Sequence, residues 1–297
     1  MKRASYHTLK TILLALGILI GLLAVIFLTM ALIRFGLFRA QEAVNGRYLK
    51  KEELVIIKPV KEGEEPVVLP VKQTLFEYVE VTDSCGPYFQ GDCLNARSGP
   101  GEEYPVITRL RKGAVLKVGG LVERGDRAWY KILFDERLRY PERIRGDFYI
   151  AVDFVEALVD EGTKDLNGKA EPNSKHIVVN RSKQKLYAYN GDELFMESAI
   201  STGLELTPTP RGIFTIYKKS PSRYMQGPIP GITNTYYDLP GVPWNLYFTS
   251  EGAVIHGTYW HDRFGKASSN GCVNLAPDEA RKLYEWAELG MKVIVRD

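Results

Sequence analysis

Hydrophobic positions follow different rules along this chain. Thr11–Ile33 is an uncharged run of 23 residues. At about 1.5 Å rise per residue, a helix of that length spans a hydrocarbon core of roughly 30 Å. The pattern predicts a transmembrane helix over 11–33 behind a short tail, 1–10. The run is longer than the apolar core of a cleavable signal and no small-x-small site closes it, so an uncleaved anchor is expected. Lys2, Arg3 and Lys10 precede the helix, and Arg34, Arg39, Arg47, Lys50 and Lys51 follow it. Charge alone therefore leaves its orientation open.

Beyond the helix the apolar residues come in short groups. Residues 34–74 are charged and carry Pro59, Pro66 and Pro70 with Glu62, Glu64 and Glu65 among them. This composition predicts a partly extended spacer, in which short patches such as Leu54–Ile57 are able to pair as strands. Over 75–159 the pattern changes to β-type segments between turn residues: Phe76–Val81, Ala114–Val118, Trp129–Phe134 and Phe148–Val155 are rich in Val, Ile, Tyr and Phe. A small β-barrel fits that spacing. Gly162, Gly168 and Pro172 then punctuate a charged stretch, 160–174, which reads as an interdomain linker.

Residues 175–297 form the second expected domain. His176–Asn180 and Lys185–Tyr189 read as strands, the second ending in Asn190-Gly191, a hairpin signal of type I′. Glu193–Ser201 and Gly212–Tyr217 continue the β pattern, and Ala253–Ile255 is a buried strand. Between them Lys218–Leu246 holds Pro221, Pro228, Pro230, Pro240 and Pro243 among many aromatics. This stretch is read as an irregular lid. Pro277 with Asp278 and Glu279 opens a helix whose apolar face is Ala280, Leu283, Tyr284 and Ala287, and Gly290 closes it. Val293–Val295 is the last strand. The fold class is mostly β, with one C-terminal helix.

Composition narrows the function. A net charge of +3 over 297 residues, with no basic run interleaved with aromatics, gives no footprint for nucleic acid. Of three cysteines, Cys85 and Cys93 flank a short Gly/Pro loop and are expected to form a disulfide outside the cytoplasm. That pairing leaves Cys272 as the single free thiol. Cys272 lies in Ser269-Asn270-Gly271-Cys272, sixteen positions after His256, which ends the Ala253–Ile255 strand. A thiol needs a base to become a nucleophile at neutral pH, and His256 is the candidate. The N–H groups of Gly271 and Cys272 are candidate oxyanion donors, and Ser269 a candidate brace for the loop. Most lone cysteines are simply buried, and the crowding of small and polar residues here argues against that plain reading. No metal-ligand spacing is present around His261 or elsewhere, and no cofactor is expected.

These residues carry a resemblance. His256-Gly257, then Ser269-Asn270-Gly271-Cys272-Val273-Asn274-Leu275, resembles the active-site signature of the L,D-transpeptidases (YkuD-like domains), which remodel bacterial peptidoglycan. Ser201-Thr202-Gly203 followed by Thr207-Pro208-Thr209-Pro210-Arg211-Gly212 is similar to the family's upstream motif. Many members have a histidine where this chain has Asn270, which bears on substrate positioning more than on chemistry. Leu94–Gly101 with Tyr104–Ile107 and Lys112-Gly113 resembles the bacterial SH3-type domain, which binds wall components or spaces an enzyme.

The resemblance implies a β-sandwich-like catalytic domain and an acyltransferase, which the helix expected over 11–33 would anchor in the membrane. Its C-terminal domains would face the extracytoplasmic side, with peptidoglycan tetrapeptide stems as donor and acceptor. Cys272 would be acylated, His256 would be the base held by the Gly257 carbonyl, and terminal D-alanine would leave before a 3-3 crosslink forms. Water as acceptor, giving an L,D-carboxypeptidase, and a lapsed wall-binding protein remain alternatives. The substrate groove is expected to take in Asn270, Trp244, Tyr237, Tyr236 and Met225, with His261 on its rim.

Overall fold

The structure is a computed structural model that describes residues 53–57, 65–144, 146–159 and 174–297. The helix expected over 11–33 lies outside the described residues, as does all of the linker except Ser174. Among the described residues no helix is long and apolar enough to cross a membrane. From Glu53 to Asp297 the chain forms one compact unit.

Two strands from the expected spacer pack on the barrel instead of standing free. β1 (Glu53–Ile57) and β2 (Val67–Val71) pair antiparallel. Alternation puts Val55, Ile57 and Val71 on one face, buried against Val122, Trp129 and Tyr149. The apolar period thus outweighs the prolines.

Seven strands follow: β3 (Tyr78–Val81), β4 (Leu94–Arg97), β5 (Val106–Leu110), β6 (Val115–Arg124), β7 (Arg127–Leu133), β8 (Phe148–Ala151) and β9 (Val155–Leu158). They make one sheet in the order β5-β4-β8-β7-β6-β3-β9, all pairs antiparallel. Its interior holds Val79, Val81, Leu116, Ile132 and Ile150. Cys85 and Cys93 are joined by a disulfide, and inside their loop Tyr88 and Phe89 both take φ of 60°. That is left-handed backbone which bulky residues seldom adopt.

The remaining residues build two sheets around a second core. β10 (Lys175–Asn180), β11 (Lys185–Asn190), β12 (Glu193–Ala199), β13 (Gly212–Thr215) and β18 (Lys292–Arg296) form the order β12-β11-β10-β18-β13. The β11–β12 turn is Gly191-Asp192, with positive φ at Gly191 alone. Glycine first is the pattern of a type II′ turn, rather than the I′ turn read from Asn-Gly. β14 (Lys218–Ile229), β15 (Thr233–Tyr247), β16 (Val254–Gly257) and β17 (Val273–Leu275) form the other sheet in that order. Helix α1 (Pro277–Trp286) buries Ala280 and Leu283 in the same core. It stops before the expected Gly290: the Lys219 ammonium donates to the carbonyls of Tyr284 and Ala287, satisfying the end of the helix there.

The expected lid is thus a long β-hairpin. β14 is an edge strand with register shifts at Arg223/Met225 and Gly227/Ile229, and an edge does not need every N–H that proline lacks. β15 pairs with β16 only at Leu246 and Tyr247. Its free flank, Pro240–Pro243, faces the barrel: a Cβ on Gly241 would stand 2.8 Å from Val115 O, so only glycine allows this approach. Ser222 Oγ donates to the same carbonyl at 2.6 Å, and the Val115 side chain is part of the second core. Arg281 of α1 bonds Glu80 of β3 at 3.1 Å.

Candidate active site

Strand pairing places the thiol and the imidazole. β16 and β17 run parallel, with Ile255 opposite Val273 and His256 opposite Asn274. Ile255, Val273 and Leu275 belong to the core. Because side chains alternate, His256, Asn274 and Cys272, one residue before β17, turn to the opposite face. There they line one cleft of about 1290 Å³. Cys272 and His256 are diagonal neighbours across the two strands, and no hydrogen bond joins their side chains in the resting structure.

His256 is fully buried. Its Nδ1 lies 2.9 Å from Gly257 O. A carbonyl only accepts, so Nδ1 carries the proton and Nε2 is left as the basic nitrogen. Nε2 has no hydrogen-bond partner among the described residues. Burial pushes the imidazole pKa down to about 4 against the opposing effect of the Gly257 bond, and the Arg223 and His261 charges add to the fall. Burial also pushes the Cys272 thiol up, with the Arg223 charge and a backbone bond to Val254 pulling the other way. The thiol donates to Gly252 O at 3.9 Å and not to His256. At neutral pH the resting pair is therefore imidazole and thiol, both uncharged. The Trp260 ring covers the imidazole at 5.8 Å between centroids.

The loop before Cys272 is braced from two sides. Ser269 Oγ donates to Cys272 O at 2.6 Å and accepts Gly271 N–H at 3.1 Å. The Gly271 amide is thereby committed, which removes it as an oxyanion donor and leaves the Cys272 amide. Gly271 has φ of 110°, which excludes a side chain without strain. The second brace is the segment after β12. Fully buried Thr209 accepts Gly203 N–H and donates to Gly271 O, each at 3.0 Å. Thr202 O accepts the amides of both Ser268 and Ser269.

Of the residues expected in the groove, Asn270, Met225 and Tyr237 line the cleft. Trp244 does not: its indole is buried in the second core, 5.3 Å from the Tyr284 ring. Tyr236 is exposed on the hairpin's far side, under the Arg143 guanidinium at 4.4 Å. His261 is buried behind the site and not on its rim. Arg263 N–H donates to its Nδ1, and its Nε2 meets the Asn274 carboxamide at 3.1 Å. It orients Asn274 from behind, and burial pushes its pKa down to about 4. Residues that sequence reasoning missed complete the walls: Arg223 and Tyr247 from the hairpin, Trp260 from the loop after β16, and Arg111, Glu136 and Arg139 from the barrel. Among the described residues no group of three or more His, Cys, Asp or Glu side chains is placed to hold a metal ion.

Residues 174–295 match the model of the L,D-transpeptidase catalytic domain, and residues 92–141 that of the bacterial SH3 domain; both domains are present in the chain. The chain is 25% identical over 135 residues to the putative L,D-transpeptidase YqjB of Bacillus subtilis, covering 42% of this chain and 73% of that protein. It is 29% identical over 122 residues to the putative L,D-transpeptidase YkuD of Bacillus licheniformis, covering 40% and 64%. A crystal structure of an Enterococcus faecium L,D-transpeptidase variant aligns with 26% identity and a TM-score of 0.38, over 41% of this chain and 49% of that one. The chain thus spans about half the length of that solved relative.

Proposed function

We propose that this chain is a membrane-anchored L,D-transpeptidase acting on peptidoglycan stem peptides, with Cys272 as nucleophile and His256 as general base. The catalytic-domain match supports the class. The observation that carries the residue assignment is the shared cleft face of His256 and Cys272, with Nε2 of the imidazole left free by the Gly257 bond.

Because both groups rest uncharged, proton transfer accompanies attack. The Cys272 Sγ–H proton passes to His256 Nε2 as sulfur bonds the carbonyl carbon of the third stem residue. The carbonyl electrons move onto oxygen, where the Cys272 amide donates a hydrogen bond, a contribution of about 3 kcal/mol for a good donor. Collapse breaks the C–N bond, and the imidazolium returns its proton to the departing amine of D-alanine. The thioester is then attacked by a side-chain amine of a second stem, closing a 3-3 crosslink, or by water, which would make the enzyme an L,D-carboxypeptidase. The Cys85–Cys93 disulfide agrees with an extracytoplasmic site. Residues 11–33 are the proposed anchor.

Incubating the full chain with disaccharide-tetrapeptide tests the reading. D-alanine release with dimer formation is expected, and neither product from Cys272→Ala. Release without dimers would make water the acceptor. Wild-type protein that releases no D-alanine while binding sacculi would replace the enzyme with a wall-binding protein.

A further inference from the structure

Two arginines that line the cleft each keep one buried guanidinium nitrogen without a hydrogen-bond partner among the described residues: Arg111 Nε and Arg223 Nη1. They come from different parts of the molecule. Arg111 follows β5 of the barrel, and Arg223 sits on β14 of the hairpin; both line the cleft that holds Cys272. A buried N–H of a charged group left without an acceptor is costly, and native structures seldom keep such atoms without a reason.

No carboxylate on the cleft wall hydrogen-bonds either nitrogen, although the Glu136 charge and that of Arg223 act on one another. Of the two carboxylates on the cleft wall, Glu136 accepts Tyr224 N–H and Glu251 accepts the Ser250 hydroxyl. Against these two stand five cations: Arg111, Arg137, Arg139, Lys218 and Arg223. The cleft is short of negative charge, and the shortfall lies beside the thiol, since the Arg223 charge acts on Cys272.

Arg111 is also held in advance. Its guanidinium lies 3.9 Å from the Phe89 ring centroid and 5.6 Å from that of Tyr259. The Phe89 ring belongs to the disulfide-closed loop, whose neighbour Tyr88 donates to Asp262 at 3.2 Å. A stacked guanidinium loses little freedom on binding, and its fork matches a carboxylate. Arg223 lies 5.5 Å from the Tyr247 ring.

We propose that Arg111 of the barrel and Arg223 of the hairpin form one carboxylate subsite, through which the peptide substrate is held by both domains at once. This deepens the transpeptidase reading and rests on it. It makes the SH3-type barrel part of the substrate site rather than a spacer. The recognised group is a free carboxylate of the donor peptide, carried either at its C-terminus or on a branch of its backbone.

The test is a comparison of matched donor tetrapeptides: the free acid, the C-terminal carboxamide and the branch carboxamide. With the full chain, one of the two amides should lose about 10- to 100-fold in kcat/KM, mostly through KM, as expected for charge-assisted bonds. That amide identifies the carboxylate. Arg111→Gln and Arg223→Gln should each shrink the acid-over-amide preference towards 1, with Arg111→Lys recovering only part of it. Melting temperature and alkylation of Cys272 by neutral iodoacetamide check that each variant remains folded with its thiol open. Equal turnover of acid and amides by wild type, or a preference that survives in folded Arg111→Gln, overturns the subsite and leaves the enzyme reading standing. Absence of turnover with every donor overturns that reading and the subsite with it.

Discussion

The Thr209 hydroxyl donates to the carbonyl of Gly271 at 3.0 Å, so a residue sixty-two positions upstream holds the backbone beside the thiol. The same hydroxyl receives Gly203 N–H. Thr209→Val keeps the shape and removes both bonds, leaving a buried amide and a carbonyl unpaired. The expected cost is about 1–3 kcal/mol of stability. D-alanine release should fall more steeply than the melting temperature suggests, because the Cys272 amide loses its fixed aim. Kinetics beside thermal unfolding would check it; Thr209→Ser should restore both.

The buried imidazole gives stability a defined pH dependence. The folded pKa of His256 is about 4, below its ordinary 6.5. Between those values the unfolded chain binds a proton that the folded one does not, so stability rises with pH across that window and is lost as pH falls through it. The contribution of this one group is about 3 kcal/mol from end to end. Urea titrations at pH 4 to 7 should show a steeper loss in wild type than in His256→Gln. Parallel curves would mean that the imidazole is not buried in its neutral form.

Removing the base should separate thiol reactivity from turnover. His256→Gln is expected to lower D-alanine release by about 10²- to 10⁴-fold, the usual worth of a general base. With the thiol pKa raised by burial, alkylation of Cys272 should be slow at neutral pH and increase into the alkaline range in wild type. A fast, pH-independent alkylation near neutrality would indicate a preformed thiolate and contradict the uncharged pair.

Closing the short loop between Cys85 and Cys93 restricts the unfolded chain by about 2–3 kcal/mol. The double variant Cys85→Ser/Cys93→Ser should lower the melting temperature accordingly. It should also raise KM for a free-acid donor with little change in kcat, since Phe89 then no longer holds Arg111 in place. Unchanged KM would detach this loop from substrate binding.

Much of this architecture is legible in local pattern. The first-turn Pro277, Asp278 and Glu279 mark the start of α1, and short continuous Val/Ile runs mark β10 and β18. The Ser269–Cys272 loop is recognisable because its chemistry is contiguous. The hairpin is not, because five prolines mimic an irregular loop when nothing local says that β14 is an edge or that β15 leaves one flank to another unit. Trp244 is misplaced for a related reason: read as part of an irregular lid it belongs over the thiol, whereas on β15, with φ of 59°, its indole is buried in the second core. Arg111, Glu136 and Arg139 carry no signal at all, since they join the cleft only through the docking of a barrel more than a hundred residues away in sequence.

Val115 belongs to a barrel strand, yet its side chain fills a place among the buried residues of the catalytic sheets, with Gly241 pressed against its carbonyl. The barrel is therefore not an interchangeable cassette. Gene shuffling that fused a different small β domain ahead of this enzyme would leave a hole beneath the hairpin and a wet apolar seam along β15. The two halves share this part of the core and depend on one another to keep it dry.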